Sequence, residues 1–592
     1  MCGISAYYGP KNGVPIVLEG LKRLEYRGYD SAGIAFLKEN SIEIVKTKGK
    51  IVALKALANG KESNIAIAHT RWATHGEPSY INAHPHVSMD GSIAIVHNGI
   101  IENHSELRKE LGEKHNYIFI SQTDSEVIAQ LIQFFYESNF EEAFRKMLTK
   151  IDGAFGIAAI HKNHQQIICA RKGSPLVLGI GKDEYFIASD PSPFLDHTKD
   201  VIYLEEKQMA VIDVNGCKIK DFNGLNKKVE IENVPFGIKS IQKSGFKHFM
   251  LKEIYEQSET VRNCFRGKIN HIDYISIKKE GIQRIIIVAC GTSYYAGLVG
   301  KYLIERYACL PLMVEHASEF RYRQPMLYPT DLVIAISQSG ETADTLEALR
   351  LAKRIGCNVA GIVNVTGSAI AKECGQGIYV HAGPEIGVAS TKAFTSQIVA
   401  LNLLLLFFSN NPHYRVEVVE ELKNLPEKIQ FFLKNQTIID IAKKYVNAKY
   451  FLFLGRDINY PVAMEGALKL KEICYIPAEG YPAGEMKHGP LALVDAETPS
   501  VFIVTKDIVY PKIISNMEEV KSRGGKIICV CDEITEEIKR LSNDIILVPE
   551  VRWEFSPIMN VIPLQLLAYY IADLKCREVD MPRNLAKSVT VE

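Results

Sequence analysis

Cys2 is the residue at which the chemistry of this chain can begin, because it stands directly behind the initiator methionine. Its small side chain lets an aminopeptidase remove Met1, which leaves one residue with both a thiol and a free α-amine. An amine with an unperturbed pKa of about 7.7 to 8.0 accepts the thiol proton near neutral pH, so no second side chain is needed as a base. Any chain can have cysteine at this position, and the other motifs must decide whether Cys2 is a nucleophile.

Two motifs that follow predicted strands supply groups for such a nucleophile. Arg71 comes after the strand 65–68, where its guanidinium can pair bidentately with a substrate carboxylate; the alternative is a surface ion pair. Asn98 and Gly99 follow the strand 93–96, and an amide beside a glycine N–H can form an oxyanion hole. Asn-Gly is also the commonest hairpin turn, which is the ordinary structural explanation of this pair.

An aspartate and a pair of histidines complete the polar positions of the N-terminal part. Asp124 begins a predicted helix, 124–136, and either it or Thr123 caps that helix or Asp124 receives a substrate ammonium group. His84-Pro85-His86 suggests a metal site, but no cysteine or carboxylate stands at the spacing that zinc requires. We therefore expect histidines that are satisfied within a loop, and no metal.

Hydroxyl-rich loops before predicted helices mark the second half of the chain. The loop Ser337-Gln338-Ser339-Gly340-Glu341-Thr342 follows the predicted strand 331–336, and Thr292-Ser293 and Ser390-Thr391 are similar. Hydroxyls, free N–H groups and the positive end of a helix dipole suit a phosphate; the alternative is a helix cap without a ligand. No lysine follows in the order typical of nucleotide-binding loops and no G-x-G-x-x-G is present, which disfavours a nucleotide.

Ionisable residues characterise the last third of the chain. Glu465, Lys469 and Glu472 stand at i, i+4 and i+7 and share one face of a predicted helix; a solvated ion pair is the alternative. His488 lies in a Gly/Pro loop. Lys587 lies in a terminal segment without periodicity, where it suits Schiff-base chemistry, although such a tail is ordinarily poorly ordered.

The composition is that of an ordinary globular protein. The chain has 592 residues, and its 69 basic and 69 acidic residues cancel, so no overall field attracts nucleic acid or an anionic membrane. The 12 cysteines are scattered without a C-x-x-C pair, and the N-terminus lacks the features of a signal peptide, so we expect a reduced, cytoplasmic protein. The apolar run 401–408 is too short to span a bilayer and is expected to be a buried helix.

The order of predicted elements divides the chain into parts. Short β-rich runs and two helical stretches up to about residue 213 predict an α+β domain of layered sheets with helices outside. A polar linker follows, and from residue 284 strands and helices alternate in two successive α/β, doubly wound units with parallel sheets. We place the first domain at 2–218, the linker at 219–250, the two α/β domains at 279–418 and 442–582, and a tail at 583–592.

Two sets of motifs resemble known families. Cys2, Arg71, Asn98-Gly99 and Asp124, together with Leu24-Glu25-Tyr26-Arg27-Gly28-Tyr29-Asp30-Ser31-Ala32-Gly33, resemble the N-terminal-nucleophile glutaminases, the class II glutamine amidotransferase domain. The segments 337–345, 385–392, 465–490 and 582–592 are similar to the glucosamine-6-phosphate synthase family, over the whole chain in order. The resemblance implies an N-terminal-nucleophile (αββα) glutaminase domain followed by two sugar-isomerase (SIS) domains.

For the glutaminase part, the resemblance implies hydrolysis of L-glutamine. Cys2 would attack the side-chain amide, and Asn98 and Gly99 would stabilise the oxyanion. Trp72 would gate the internal passage of ammonia. The contacts to glutamine would be Arg71, Thr74, His75 and Asp124.

For the isomerase part, the resemblance implies that ammonia and D-fructose 6-phosphate become D-glucosamine 6-phosphate. Lys587 would form an imine with the C2 ketone, and Glu472 would move a proton between C1 and C2. Ring opening would be assisted by Glu465, Lys469 and His488. The sugar phosphate would be held by Thr292, Ser293, Ser337, Gln338, Ser339, Thr342, Val388, Ser390 and Ala586.

The resemblance also bears on partners and cofactors. In the family His488 comes from the neighbouring subunit, which implies a homodimer, and neither a metal nor an organic cofactor is required. The chain lacks the long insertion of eukaryotic forms between the two parts and so resembles the bacterial type, which serves amino-sugar and peptidoglycan-precursor synthesis. Two alternatives stay open: an amidotransferase for another phosphosugar, and a phosphosugar-binding regulator.

Overall fold

The computed structural model describes residues 2–72, 75–234, 242–269, 272, 275–409 and 411–590. The chain divides into two units by its internal packing. The first comprises Met1–Gln242 together with Ala586–Glu592, and the second comprises Lys243–Leu585.

Two antiparallel sheets form the first unit. The larger sheet has eight strands in the order β14-β11-β9-β10-β1-β4-β2-β3 and the smaller has six in the order β13-β12-β8-β7-β6-β5. The strands are β1 (Gly3–Tyr8), β2 (Ser31–Lys38), β3 (Ser41–Lys48), β4 (Ile65–Arg71), β5 (His86–Val87), β6 (Ile93–Ile101), β7 (Gly153–His161), β8 (His164–Lys172), β9 (Val177–Ile180), β10 (Tyr185–Ala188), β11 (Asp200–Tyr203), β12 (Gln208–Asp213), β13 (Gly216–Asp221) and β14 (Glu232–Asn233).

The two sheets pack face to face with helices on their outer sides. One core lies between the sheets and includes Ile4, Ile67 and Val96. Separate cores lie beneath the helices on each outer side, so β1 and β4 are buried on both faces. The helices are α1 (Gly13–Arg23), α2 (Ile51–Leu57), α3 (His104–His115), α4 (Glu126–Phe135) and α5 (Phe140–Leu148), with short 3-10 turns at Glu25–Arg27 and Ser192–Phe194.

Two parallel sheets of five strands form the second unit, and both have the same strand order. The first is β16-β15-β17-β18-β19 and the second is β21-β20-β22-β23-β24, so in each sheet the first strand of the sequence lies between the second and the third. The strands are β15 (Arg284–Ala289), β16 (Leu312–His316), β17 (Asp331–Ser337), β18 (Asn358–Val363), β19 (Gly377–Tyr379), β20 (Phe451–Gly455), β21 (Ala478–Pro482), β22 (Pro499–Val504), β23 (Lys526–Cys531) and β24 (Asp544–Leu547).

Helices cover both faces of each parallel sheet, which explains why strands such as Ile285-Ile286-Ile287-Val288 are continuously apolar. The segment between the linker and β15 contains two helices, α6 and α7, which meet at Glu256. The helices are α6 (Phe249–Tyr255), α7 (Gln257–Phe265), α8 (Gly291–Tyr307), α9 (Ala317–Phe320), α10 (Ala343–Ile355), α11 (Ala369–Cys374), α12 (Lys392–Phe408), α13 (Pro412–Asn435), α14 (Ile438–Tyr445), α15 (Tyr460–Cys474), α16 (Tyr510–Lys521), α17 (Glu536–Leu541) and α18 (Ser556–Leu574), with 3-10 turns at Asp457–Asn459, Ala483–His488, Pro490–Leu493 and Trp553–Phe555.

Two apolar helices fill the centre of the second unit. Every residue of α12 is buried, which confirms the prediction of a buried helix over 401–408. The stretch Trp553–Leu574 is the one candidate membrane span found in the described part of the chain. Its apolar window is 94% buried inside the protein, and a buried core helix meets the same criteria of length and composition.

Candidate active sites

The thiol of Cys2 lies at the start of β1 against the backbone of Trp72. Trp72 donates its N–H to Cys2 Sγ over 3.3 Å, and the Trp72 carbonyl oxygen lies 3.5 Å from the same sulfur. Burial raises the pKa of the Cys2 thiol, whereas the positive amino terminus, the Trp72 N–H and Arg71 act in the opposite direction. A base beside the thiol is therefore more necessary here than for an exposed cysteine.

Asn98 and Gly99 lie inside β6, so their interpretation as a hairpin turn is wrong. Gly99 pairs with Phe155 of β7 at φ +124°, and a Cβ at this position would stand 1.9 Å from the Ala154 carbonyl oxygen. The close approach of two strands therefore requires glycine. Both the Oδ1 and the Nδ2 atoms of the Asn98 side chain make hydrogen bonds.

The Asn98 amide connects β6 to the strand that carries Cys2. Its Oδ1 lies 3.1 Å from His69 Nε2, and its Nδ2 donates to Ser189 Oγ over 2.8 Å. The same hydroxyl accepts the N–H of Ile4 at 2.8 Å. Ser189 thus bridges a candidate oxyanion donor and β1, and neither His69 nor Ser189 was predicted as part of the site.

Arg71 ends β4 with its side chain buried, so a surface ion pair is the wrong interpretation of this residue. Its guanidinium donates to the carbonyl oxygens of His75 and of Gly76, the latter at 3.1 Å. These bonds shape the loop that follows β4. Thr74, which the family resemblance implies as a glutamine contact, lies outside the described residues.

Asp124 does not cap the helix that follows it. Its Oδ2 accepts the N–H of Ile101 at 2.8 Å, and α4 begins after Ser125 without a side-chain cap. Its Oδ1 lies 4.0 Å from His75 Nδ1. The structure therefore brings together Arg71, His75 and Asp124 around one loop of the first unit.

The backbone of Cys2 is held by Arg27, which is itself held by Asp190, and these contacts were also not predicted. Arg27 donates from Nε to the carbonyl oxygen of Cys2 over 3.3 Å, and its NH1 group lies 2.9 Å from Asp190 Oδ2. The Tyr26 hydroxyl donates to the same carboxylate oxygen at 2.6 Å. Tyr26 and Arg27 stand in a quoted motif, but Asp190 lies far along the chain and carries no local signal.

The His84-Pro85-His86 motif is buried in the first unit, and both of its histidines make the hydrogen bonds expected of satisfied histidines. His97 donates its N–H to His84 Nδ1 at 3.2 Å, and His86 Nε2 lies 3.0 Å from Thr123 Oγ1. Burial lowers the pKa of His69 to about 3 and holds the pKa values of His84 and His86 well below the usual range, so these rings are neutral. Among the described residues no group of three or more metal-type side chains is arranged to hold an ion.

In the second unit, the loop Ser337–Thr342 follows β17, at the point where the order of the first parallel sheet reverses between β15 and β17. Ligands of open α/β sheets bind at this switch point. Ser337 Oγ lies 3.1 Å from Thr342 Oγ1 and accepts the N–H of Gly340 at 3.0 Å. Gly340 has φ +67°, and a Cβ there would stand 2.0 Å from Ser368 Oγ, so the tight loop requires glycine.

Two helix N-termini beside this loop lack a side-chain cap. Cys290 precedes α8 and Thr342 precedes α10, and neither side chain accepts a hydrogen bond from the first turn. The interpretation of Thr342 as an ordinary cap is therefore wrong. Uncapped N–H groups at the positive ends of two helices are the arrangement that binds a phosphate.

The third hydroxyl loop differs from the other two. Ser390 donates to Glu385 Oε2 at 2.9 Å, while Glu385 Oε1 accepts the N–H groups of Thr391 and Ala393 at 2.9 and 3.0 Å. A buried carboxylate thus occupies the N-terminus of α12. Ser293, on α8, accepts a hydrogen bond from Gln397 Nε2 of α12 at 2.9 Å, which links the two elements. Val388 lies in the same segment as Ser390, and Gln338 is half-buried in the switch-point loop.

Glu465, Lys469 and Glu472 meet Thr292 across the two halves of the second unit. Lys469 Nζ lies 2.6 Å from Glu472 Oε2 and 3.3 Å from Glu465 Oε1. It also donates to Thr292 Oγ1 at 3.1 Å, and that hydroxyl donates to Glu465 Oε1 at 3.2 Å. Lys469 and Glu465 are 0% exposed, so a solvated ion pair is the wrong interpretation.

The protonation of this cluster follows from its burial. Burial raises the pKa of Glu465 to about 8, although Lys469 acts against the shift. Burial opposes the charge of Lys469, but its contacts with Glu465 and Glu472 outweigh the burial and raise its pKa. Lys469 is thus an ammonium, and Glu465 holds a proton at neutral pH. Glu465 Oε2 is buried without a hydrogen-bond partner among the described residues, which leaves a position for that proton.

Three predicted residues are not part of these contacts. His488 ends the 3-10 turn Ala483–His488 and is exposed. Ala586 and Lys587 belong to the segment that groups with the first unit, and both are half-buried. Their roles stay predictions.

Comparison with known proteins defines the class of the chain. Residues 69–196 match the glutamine amidotransferase domain family, and residues 277–407 and 444–573 each match the SIS domain family. The protein therefore combines one glutamine amidotransferase domain with two SIS domains, whose parallel sheets are those described above.

Full-length relatives define the particular family. A protein of Chlorobaculum tepidum named glutamine–fructose-6-phosphate aminotransferase (isomerizing) is 49% identical over 100% of both chains, and one of Aquifex aeolicus with the same name is 47% identical, again over 100% of both. The chain belongs to the glutamine–fructose-6-phosphate aminotransferase (isomerizing) family. A solved C-terminal domain of such an aminotransferase from Francisella tularensis is 43% identical with a TM-score of 0.53, and it covers 58% of this chain and 100% of its own.

Proposed function

We propose that this chain converts L-glutamine and D-fructose 6-phosphate to L-glutamate and D-glucosamine 6-phosphate. The observation that carries the proposal is the buried cluster of Thr292, Glu465, Lys469 and Glu472. In this cluster Glu465 is the acid, Lys469 the ammonium group and Glu472 the carboxylate. They lie beside α8, the helix that begins at the switch point of the first parallel sheet. A binding regulator has no need of such a costly buried cluster, whereas an isomerase needs groups that move protons.

The first reaction takes place in the N-terminal unit, for which we propose the N-terminal-nucleophile (αββα) fold on the basis of its layers. The α-amine of Cys2 accepts the thiol proton, and the sulfur attacks the amide carbon of glutamine. Asn98 Nδ2 and the Gly99 N–H stabilise the oxyanion, while Arg71, Thr74, His75 and Asp124 hold the amino-acid end. Ammonia leaves, water hydrolyses the thioester, and Trp72 controls the passage of the ammonia.

The second reaction uses the C-terminal part. The switch-point loop and the uncapped N-termini of α8 and α10 hold the phosphate, with Ser390, Val388 and Ala586 as further contacts. Lys587 condenses with the C2 ketone and loses water, and ammonia then replaces the lysine nitrogen at C2. Glu472 takes a proton from C1 and returns it to C2, which converts the ketose imine to an aldose. Glu465, Lys469 and His488 transfer protons during ring opening.

The overall reaction balances without a further reagent. Glutamine supplies the nitrogen, and C1 is oxidised as C2 is reduced within the sugar, so neither a redox cofactor nor a second nitrogen donor is needed. We also propose a cytoplasmic homodimer, in which His488 serves the site of the neighbouring subunit, and the domain boundaries predicted above.

A labelled-nitrogen experiment tests this function. The purified chain is incubated with glutamine that carries ¹⁵N in its amide and with fructose 6-phosphate, and the product is examined by mass spectrometry. We expect glucosamine 6-phosphate with ¹⁵N, and none from Cys2→Ala. Aminated product from another phosphosugar alone would support the amidotransferase alternative, and phosphosugar binding without any turnover would support the regulator.

A further inference from the structure

Asp580 lies where three distant segments of the second unit meet, and the function proposed above does not use it. The side chain is buried, and its two oxygens accept the N–H groups of Phe249 and Met250 at 2.9 and 3.0 Å. These residues begin α6, and His248 before them makes no side-chain cap. Asp580 therefore caps α6 from the other end of the unit. Lys243 Nζ, 3.1 Å from Asp580 Oδ2, balances the charge.

The backbone of Asp580 holds the loop that carries two proposed sugar contacts. Its carbonyl oxygen accepts the N–H of Val388 at 3.0 Å. The N–H groups just before it, of Ile386 and Gly387, donate to Glu253 Oε1 of α6 at 2.5 and 3.1 Å. A Cβ at Gly387 would stand 2.9 Å from Glu253 Oε2, so this loop packs directly against α6.

The same C-terminal segment is fixed a second time, at the helix that carries Glu472. Tyr475 follows α15 with φ +58°, and its hydroxyl accepts the N–H of Arg583 at 2.8 Å. The guanidinium groups of Arg583 and Arg577 lie 4.4 and 5.4 Å from the centre of the Tyr475 ring. Residues 577–583, which we call the clasp, thus connect α15 with α6 and with the loop of Val388.

The chain leaves the clasp and reaches Lys587 four residues after Arg583. Four residues span at most about 14 Å when fully extended, so the position of the clasp limits how far from it Lys587 can lie. Fixing the origin of a short tether raises the effective concentration of the group at its end. A loosened origin costs reaction rate more than it costs affinity for the sugar phosphate.

We propose that Asp580 is a positioning residue for imine formation. It fixes the clasp to α6 and to the loop of Val388 and Ser390, and the chain continues from the clasp to Lys587. This proposal rests on the proposed function, since it presupposes that Lys587 reacts with the phosphosugar. Asp580 itself touches no reacting atom.

Three readouts on the full-length variant Asp580→Asn test the proposal. The first is the rate at which borohydride traps the fructose 6-phosphate imine on Lys587, measured by peptide mass. The second is kcat and KM for glucosamine 6-phosphate synthesis. The third is the urea midpoint of the second unit, which reports on the folding of the part that carries Asp580. Asp573→Asn is the matched control, because Asp573 pairs with Lys247 on the surface of the same unit.

For Asp580→Asn we expect imine trapping and kcat to fall about tenfold while KM for the phosphosugar stays within about threefold, with a second unit that stays folded in urea titration. A raised KM with unchanged kcat and trapping would overturn the proposal, since Asp580 would then support only the binding loop. If Asp580→Asn unfolds the second unit, Tyr475→Phe decides: it removes the hydroxyl that accepts the N–H of Arg583, and unchanged trapping overturns the proposal. Absence of any imine in the unsubstituted chain contradicts the proposed function instead.

Discussion

The two α/β halves share one strand order but have opposite chemistry at their switch points. Between β15 and β17, the loop offers Ser337, Ser339 and Thr342 beside uncapped helix ends. Between β20 and β22, the equivalent loop carries Asp507, which accepts bonds from Thr505 Oγ1 at 2.7 Å and from Val509 N–H at 2.9 Å. A carboxylate of the chain thus stands in the loop that is equivalent to the one for which we propose phosphate binding.

Further carboxylates make the second switch point unsuitable for an anion. Asp457 follows β20 and accepts the indole N–H of Trp553 at 3.1 Å, and Asp532 accepts the N–H of Lys506 at 3.1 Å. Burial raises the pKa values of both carboxyl groups. The second half contributes the helix α15, which packs against the equivalent helix α8 of the first half. We therefore propose that the two halves of this repeated architecture have different roles, the first in binding the phosphosugar and the second in moving its protons.

The largest effect is expected when Glu472, the proposed base of the second half, is replaced. Glu472→Gln keeps the size of the side chain but cannot take a proton, so kcat for synthesis should fall about 10²- to 10⁴-fold. KM for fructose 6-phosphate should change little, as measured by steady-state kinetics. Lys471→Gln, at an exposed position of the same helix, is the control. A kcat for Glu472→Gln within twofold of the control would break the division of roles.

The second-largest effect is expected when a carboxylate, as found in the second half, is introduced into the switch-point loop of the first half. Ser339→Asp brings a negative charge into the switch-point loop, and its repulsion of the phosphate should raise KM for fructose 6-phosphate by about 100-fold. Ser339→Ala, which removes only the hydroxyl, should raise KM by about tenfold or less. If the two variants behave alike, charge is not what distinguishes the halves.

A smaller effect concerns the pH dependence of stability. The pKa of Glu465 is about 8 in the folded chain, above the usual carboxyl value. Between the two values the folded state binds more protons, so this group stabilises most at acidic pH, and its contribution is lost as the pH rises towards 8. The urea midpoint of the second unit should decline from pH 5 to 8, and less so in Glu465→Gln. Parallel declines in the two proteins would contradict this protonation.

The smallest effect is expected in the second switch point. Asp507→Asn keeps one of the two accepting oxygens and puts an NH2 group in place of the other, to which the Thr505 hydroxyl can turn as an acceptor, so stability should fall by no more than about 1 kcal/mol. Both kcat and KM should stay within about twofold, since we assign the residue neither phosphate binding nor proton transfer. A clear change in KM, measured under the same conditions as for Ser339→Asp, would show that the two crevices share the sugar.

Local patterns in the sequence could predict much of this arrangement. Buried parallel strands were visible as apolar runs such as Arg284–Ala289, and helical periodicity placed Glu465, Lys469 and Glu472 on one face. Periodicity could not show that this face is buried, because its partner Thr292 lies 173 residues away in sequence. The hydrogen bonds of Asn98 to His69 and Ser189 could not be predicted for the same reason, since these residues also lie far from Asn98 in the sequence.

Motifs with two local explanations could not be decided from the sequence. Asn-Gly favours a turn by its backbone preference, and only pairing with β7 places it inside a strand. Ser and Thr before α10 favour a cap, but the hydroxyls of Ser337 and Thr342 lie within hydrogen-bond distance of each other. The carboxylate of Glu385 at α12 could not be foreseen, because a cap supplied from outside the helix leaves no signature at its first turn.

The number of phosphosugar molecules bound by each chain tests the central claim most directly. Calorimetric titration of the full-length protein with fructose 6-phosphate should give one site per chain, which is lost in Ser339→Asp and retained in Asp507→Asn. Two sites per chain, or binding that survives Ser339→Asp but not Asp507→Asn, would contradict the claim that only the first half holds the sugar phosphate.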